Sequence, residues 1–323
     1  MRRLLSSKRP LLACLVLVAA AAFAAAAPAG AGERLVPAGA DLAAVIVAAA
    51  PGEFLRLGAG RHQGPVTIAK SLSLVGERGA VLEGNGTGSV ITVTAPGVRI
   101  VGLTIRGSGT DVPAMDSAIL VTRTAGRATI VGNRLEGNLF GVYLHGAAGS
   151  RVEGNVIRGR RDLRMSEAGN GVSIWNAPGA AVVGNDIRYG DREHGLLMNY
   201  VNGSRITGNI VRDSAGKCLF IYNAHRNRIE GNRFEGCPIG IHFTAGSERN
   251  RIVGNGFVGN RTQVKYVGTR RVVWAYEGRG NYWSDNPAFD LDGDGIADRE
   301  YRPNDIVDDL LWRHPQAKLL INS

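Results

Sequence analysis

The sequence predicts an all-β fold, a parallel β-helix, right-handed as such solenoids usually are, with an N-terminal helical cap and a C-terminal irregular cap. Three observations carry that prediction. A Gly-Asn step recurs with a period in the low twenties. Each period holds two or three short pieces of alternating apolar residues, broken by Gly, Asn or Ser. The composition, with 45 Gly in 323 residues and 6% aromatics, favours turns and close backbone packing over helices.

In chain order, the first segment is residues 1–31. Arg2, Arg3, Lys8 and Arg9 precede the apolar run LLACLVLVAAAAFAAAA, and small residues around Ala27, Ala29 and Ala31 offer cleavage sites. This is the pattern of a secretory signal peptide. Removing its four cations lowers the formal charge from +10 to about +6. The remaining arginines are scattered and not interleaved with aromatics, so the charge does not point to nucleic acid. Cys14 leaves with the signal. Cys218 and Cys237 remain in an exported, oxidising compartment, where a disulfide is the plainer expectation and a soft-metal site the sharper one.

Residues 32–271 are expected to form the β-helix. Asp41 to Ala50 reads as a short helix covering the first coil, because an open solenoid end exposes apolar surface and strand edges. From Asn133 the repeat is explicit, with Asn155, Asn185, Asn209, Asn232 and Asn255 following at intervals of 22, 30, 24, 23 and 23 residues. The long interval holds an insertion, RGRRDLRMSEAGN. Gly and Asn tolerate the positive φ that a sharp corner needs, and Asn at one corner of successive coils can stack its amides. Residues 272–323 lose the period and form the C-terminal cap.

Upstream of each Gly-Asn step lies a second aligned piece: GVYLH, GVSIW, GLLMN, CLFIY and GIHFT. Alternation turns Val142, Leu144, Val172, Ile174, Leu196, Met198, Leu219, Ile221, Ile241 and Phe243 inward. Outward columns then carry Tyr143, Ser173, Leu197, Phe220 and His242, and beside them His145, Trp175, Asn199, Tyr222 and Thr244. An outer face with this many aromatics predicts a partner-binding surface on Tyr143, Trp175, Asn199, Phe220 and Tyr222.

Imidazole, thioether and thiol groups in the same region suit copper. The candidate ligands are His145, His194, Met198, Cys218, Cys237 and His242, with Met165 nearby; alternation points Met198 into the core. In the tail, DLDGDGIAD places Asp290, Asp292, Asp294 and Asp298 at positions 1, 3, 5 and 9 of a calcium-type loop with Gly at position 6. Position 12 falls on Tyr301, so this loop is degenerate. Glycoside hydrolysis needs two facing carboxylates, and the outward columns contain none. Acids occur in corner loops, at Asp111, Asp116, Asp162, Glu167, Asp191 and Glu193. The sequence therefore predicts a binding protein with no catalytic residues. A carbohydrate-binding or polysaccharide-cleaving β-helix is the alternative.

DREHGLLMNYVNGS, KCLFIYNAHRNRIEGNRFEGCPIGIHFTAGSERNRI, GNRTQVKYVGT, GRGNYWSDNPAFDLDGDGIADREYRPNDIVD and LLWRHP together resemble the NosD family. The resemblance implies a non-catalytic periplasmic accessory protein in copper–sulfide centre assembly for nitrous-oxide reductase. It implies an ABC transporter membrane subunit with its ATPase, the reductase and a copper chaperone as partners. Attachment to the membrane would come through a partner. The chain departs from the family at Gly190–Asp191, where roughly two coils are missing, and in stopping soon after LLWRHPQAKLL.

Overall fold

The computed structural model describes residues 32–160, 169–190, 194–244, 246–266, 271–301 and 316. The expected signal peptide (1–31) lies outside the described residues. So do Asp162, Met165 and Glu167 of the insertion, Asp191, Glu193 and the LLWRHP segment.

The chain winds through three parallel sheets in strict rotation, so every strand pairs with its counterparts one coil away. Sheet one has ten strands, from Glu33–Val36 to Arg251–Val253; sheet two has ten, from Gly60–Gln63 to Tyr282–Trp283. Sheet three has nine, from Val66–Ile68 to Thr262–Tyr266. The inward residues named from alternation all line the core; Val142, Leu144, Met198, Ile221 and Phe243 are completely buried. Burying one such side chain stabilises by about 1.5–3 kcal/mol, and the stack repeats it coil after coil.

At the corner between sheets one and two, Gly231 turns the chain at φ 63° and Asn232 enters the interior. Asn232 Oδ1 accepts from both the backbone N–H and the Nδ2 of Asn209, each at 2.9 Å. Its own Nδ2 donates to the Ile206 carbonyl at 2.8 Å and to Asn255 Oδ1 at 2.9 Å. The same pattern joins Asn133, Asn155, Asn185, Asn209, Asn232 and Asn255, and it continues to Asn281. A shorter ladder at the corner before sheet one links Asn227 Nδ2 to Asn250 Oδ1 at 3.0 Å.

Both ends are closed. The N-terminal helix spans Leu42–Ala48, capped by Asp41, whose carboxylate accepts from the Ala44 N–H at 3.0 Å. Leu42 and Ile46 seal the core, and Lys70 donates to the carbonyls of Val47 and Ala49 at the helix end. At the other end Phe257 stacks on Trp283 and Trp283 on Tyr301, each at 4.3 Å, with Trp274 tilted against Trp283. Cys218 and Cys237 form a disulfide inside the solenoid. No helix among the described residues is long and apolar enough to cross a membrane.

Replacing Asn232 by Ala strands the Asn209 N–H and the Ile206 carbonyl in the core. At 1–3 kcal/mol per orphaned group, Asn232→Ala is expected to lose about 3 kcal/mol in urea unfolding. Its exposed neighbour Arg233→Ala should stay within about 0.5 kcal/mol.

Candidate functional site

The outer surface of sheet three carries the aromatic and imidazole side chains. In-register pairing builds one column from Tyr143, Ser173, Leu197, Phe220, His242 and Lys265, and a second from His145, Trp175, Asn199, Tyr222 and Thr244. The rings contact one another in two larger groups, with Tyr200 edge-on to Tyr222 at 5.9 Å as a separate pair.

The first group lies on the earlier coils. His145 stacks on Trp175 at 4.6 Å, and Tyr143 sits edge-on to both Phe140 and His145. Arg123, His145, Trp175, Asn176 and Tyr200 line an open cavity of 230 Å³. Tyr200 is half exposed at φ 53°, in a corner column where Gly146 and Asn176 also have positive φ. Burial, then the charge of Arg123, lowers the His145 pKa below its ordinary value, while burial raises that of Tyr143.

Phe220 is the centre of the second group. His242 stacks on it at 5.1 Å, His194 meets it edge-on at 5.2 Å, and Lys217 Nζ lies 4.4 Å above it. Lys217 Nζ is also 3.4 Å from His194 Nε2. Both ring nitrogens of His242 are buried without a hydrogen-bond partner among the described residues, as are Asn199 Oδ1 and Thr244 Oγ1. Burial first, then Lys217 and Lys265, pushes the His242 pKa from 6.5 to about 4. The imidazole is thus neutral at ordinary pH, the form a metal binds.

Three of the six candidate copper ligands do not reach this face. Met198 is fully buried in the core, and Cys218 and Cys237 are bonded to each other there, offering no thiolate. His145, His194 and His242 remain, on separate coils. His145 and His242 are four strand steps apart, roughly 19 Å, and His194 and His242 two steps, roughly 10 Å, with Phe220 against both. Among the described residues the one group of three or more His, Cys, Asp or Glu ligand atoms close enough for a single ion lies elsewhere, in the C-terminal cap, so these three histidines do not together surround one ion.

Asn170, at the end of the insertion, donates to Ser173 Oγ at 3.0 Å and leaves Ser173 buried, so the face is partly covered there. Of the corner-loop acids, Asp116 is buried and accepts from the Asp111 N–H. Sequence reasoning passed over Arg123, Tyr200 and Lys217. For Tyr200 the available signal was an aromatic following Asn199 at the corner that Gly146 occupies two coils earlier.

In the C-terminal cap, carboxylate oxygens of Asp290, Asp292 and Asp294 lie within 4.8 Å of one another. They form the one cluster of three or more His, Cys, Asp or Glu ligand atoms among the described residues. Asp290 accepts from Gly295, Gly293 and Asp294, and the Gly295 N–H is the main cause of its lowered pKa. Asp298 instead accepts from the Leu291 N–H at 2.7 Å, and the Tyr301 hydroxyl donates to Asp285.

A family model described as periplasmic copper-binding protein (NosD) matches residues 78–288. The chain is 38% identical to the probable ABC transporter binding protein NosD of Stutzerimonas stutzeri, over 347 positions covering 83% of this chain and 80% of the relative. It is 36% identical to the protein of the same description from Pseudomonas aeruginosa, covering 83% and 81%. The chain belongs to the NosD family. Since 347 aligned positions take in only 83% of its 323 residues, the relatives carry residues within the matched stretch that this chain lacks. The Streptococcus pneumoniae surface protein and adhesin PfbA superposes with a TM-score of 0.51 at 11% identity, covering 70% of this chain and 73% of PfbA. That likeness is one of fold alone.

A depressed imidazole pKa means that the unfolded chain takes up the proton first as pH falls. The stability linked to His242 is therefore present above about pH 6.5 and is lost as pH falls from there towards about 4. In a histidine-resolved NMR titration His242 is expected to titrate near 4, and His242→Phe should flatten the stability profile across that window.

Proposed function

We propose that this NosD-family chain works as a non-catalytic accessory protein of an ABC transporter system that assembles the copper–sulfide centre of nitrous-oxide reductase. The outer face of sheet three would be its working surface. The observation that carries this reading is His242, a neutral imidazole with both ring nitrogens buried and without hydrogen-bond partners on a face rich in aromatics. The family is described as periplasmic and copper-binding, and the two relatives are named for binding an ABC transporter.

His145, His194 and His242 each offer Cu(I) one imidazole. A coil-by-coil stack does not bring them around one ion, so the rest of each coordination shell comes from the protein that docks on the face. A copper chaperone or the reductase would supply thioether or thiolate groups opposite the histidine. Copper is then cargo passed across an interface, which keeps its hold on this chain weak and exchangeable. The transporter's membrane subunit, with its ATPase, would hold the protein at the membrane. No outward position of sheet three carries a carboxylate among the described residues, so the arrangement that sugar hydrolysis needs is not built there.

An anaerobic Cu(I) titration against a competing chelator tests this. Weak binding that His145→Ala/His194→Ala/His242→Ala abolishes is expected. No affinity at or below the micromolar range would leave a docking scaffold without copper, and enzyme-like cleavage of pectin or alginate polymers would replace the accessory reading altogether.

The acidic cap loop supports a second, structural role. Asp290, Asp292 and Asp294 converge as hard oxygen ligands suited to calcium, with Asp298 close in sequence. Calcium at 100 times its dissociation constant should raise stability by about 2.7 kcal/mol. The melting temperature read with and without calcium, in the parent and in Asp292→Asn, checks it; no gain removes the ion from the cap.

A further inference from the structure

Sheet one has a feature that the copper face does not use. Its outward column carries Arg205, Arg228 and Arg251 on three successive strands, paired directly in register. Neighbouring strands lie about 4.8 Å apart, so these side chains rise in a row at that spacing. Two residues upstream of each strand the chain turns a corner, and the corner positions form a second column. That column contains Gly149, Gly179 and Gly203 on middle coils, then Arg226, Arg249 and Arg271 on the last coils.

The corner requires a left-handed backbone. The three glycines adopt it at φ 63–68°, where an absent Cβ makes it free of strain. Arg226, Arg249 and Arg271 are held there at φ 56°, 58° and 56°, in a region that L side chains rarely occupy. Gly97 and the three glycines satisfy the same corner on four earlier coils, with Arg127 holding it at φ 60° on another, so the turn itself does not call for arginine. Strain kept at a repeated position points to a role for the side chain.

The charges are also only lightly committed, Arg205 acting at a distance on Glu153 of the same sheet. On sheet two, arginines meet carboxylates: Arg61 with Glu83, Arg158 with Asp186, Arg188 with Asp213, Arg233 with Glu235. At the sheet-one corner, Arg205, Arg226, Arg228, Arg249 and Arg271 are exposed and form no ion pair among the described residues. Arg251 alone is engaged, by Glu230 and by the Tyr276 ring 4.3 Å below its guanidinium.

We propose that Arg205, Arg226, Arg228, Arg249 and Arg271 form a docking surface for an acidic segment of a partner protein. A guanidinium presents a planar fork that takes a carboxylate in two parallel hydrogen bonds. Two adjacent columns of forks at strand spacing, on a rigid stack, fit a run of Glu or Asp side chains. An anionic bilayer fits less well. Surface binding to lipid combines attraction to anionic headgroups with buried apolar area, and the outward neighbours of these arginines on sheet one, Thr207, Glu230 and Val253, offer little of the second and one opposing charge. The exposed acids Asp290, Asp292 and Asp294 follow at the same end of the solenoid and would be repelled by such a membrane. This surface is separate from sheet three and does not depend on copper.

The probe is poly-L-glutamate, titrated into the full chain at 50 mM and 150 mM NaCl, with phosphatidylglycerol vesicles as the competing surface. Binding that weakens with salt is expected. The variant Arg226→Gly/Arg249→Gly/Arg271→Gly should lose about tenfold in affinity while its melting temperature holds or rises, because glycine relieves the corner. Arg61→Ser/Arg134→Ser/Arg233→Ser removes the same charge from sheet two and should stay within about twofold of the parent. Arg205→Gln/Arg228→Gln, which keeps the strand, reads the same loss should the glycine variant fold poorly. Equal losses in the sheet-one and sheet-two variants would reduce the effect to net charge and overturn the proposal. Preference for the vesicles over poly-L-glutamate would overturn it in favour of lipid.

Discussion

The columns on this molecule owe their straightness to the amide–amide hydrogen bond between asparagines of successive coils. Parallel strands alone leave room for slippage, since a shifted strand still finds backbone partners. An asparagine buried at the corner removes that freedom. Its oxygen accepts from both the backbone and the side chain of the coil before, as Asn232 does with Asn209. A slip of one residue would bury the amide without its partners, at a cost that grows with every rung. The ladder from Asn133 to Asn281 therefore pins the chain at one corner per coil, and sheets one, two and three inherit the register.

This rigidity dictates what the surface can do. Side chains above one another in sheet three are set about 4.8 Å apart, and across four coils His145 and His242 are beyond reach of a common ion. The outer face is good at presenting flat rows, such as the stacked His145 and Trp175 or Phe220 and His242. It is poor at closing around a small ligand. A partner laid across those rows meets aromatic area, with the unsatisfied polar atoms of His242, Asn199 and Thr244 buried just beneath it. The same geometry arranges guanidinium groups on sheet one.

What the sequence made legible follows from the same physics. Corner and core repeat at a fixed period, so the Gly-Asn step and the inward pairs could be read from Asn133 to Asn255. The cap helix was visible through Asp41 and its apolar stripe. Asn281 was passed over although Gly280 precedes it, because the flanking alternation that marks earlier corners has stopped. Which outward residues are truly open was not legible: Ser173 occupies an outward position but is covered by Asn170, from the end of an insertion with no period. Nor does alternation place a ring that leaves the strand, which is how Tyr200 reaches the cavity beside Trp175. The cysteines were ambiguous for a different reason. Nineteen residues of separation suit either a metal pair or a disulfide, and only the stacking that puts them on adjacent coils inside the core decides it.

The junction at Gly190–Asp191, where the resemblance to the family implies missing coils, shows what such a stack tolerates. Across it the pairing is continuous: Asp186 faces Ile210, Trp175 faces Asn199, and Asn185 donates to Asn209. Each coil contacts only its two neighbours, so removing whole coils leaves every surviving rung with a partner of the same kind. What changes is distance along the rod. The His145–Trp175 group and the His194–Phe220–His242 group here lie on neighbouring stretches of one face, with Trp175 and Asn199 as direct partners. Inserted coils would move the groups apart in steps of about 4.8 Å without disturbing either one. Fold and site are thus nearly independent in this architecture: the ladder tolerates a change in coil number, whereas a partner that spans both groups does not.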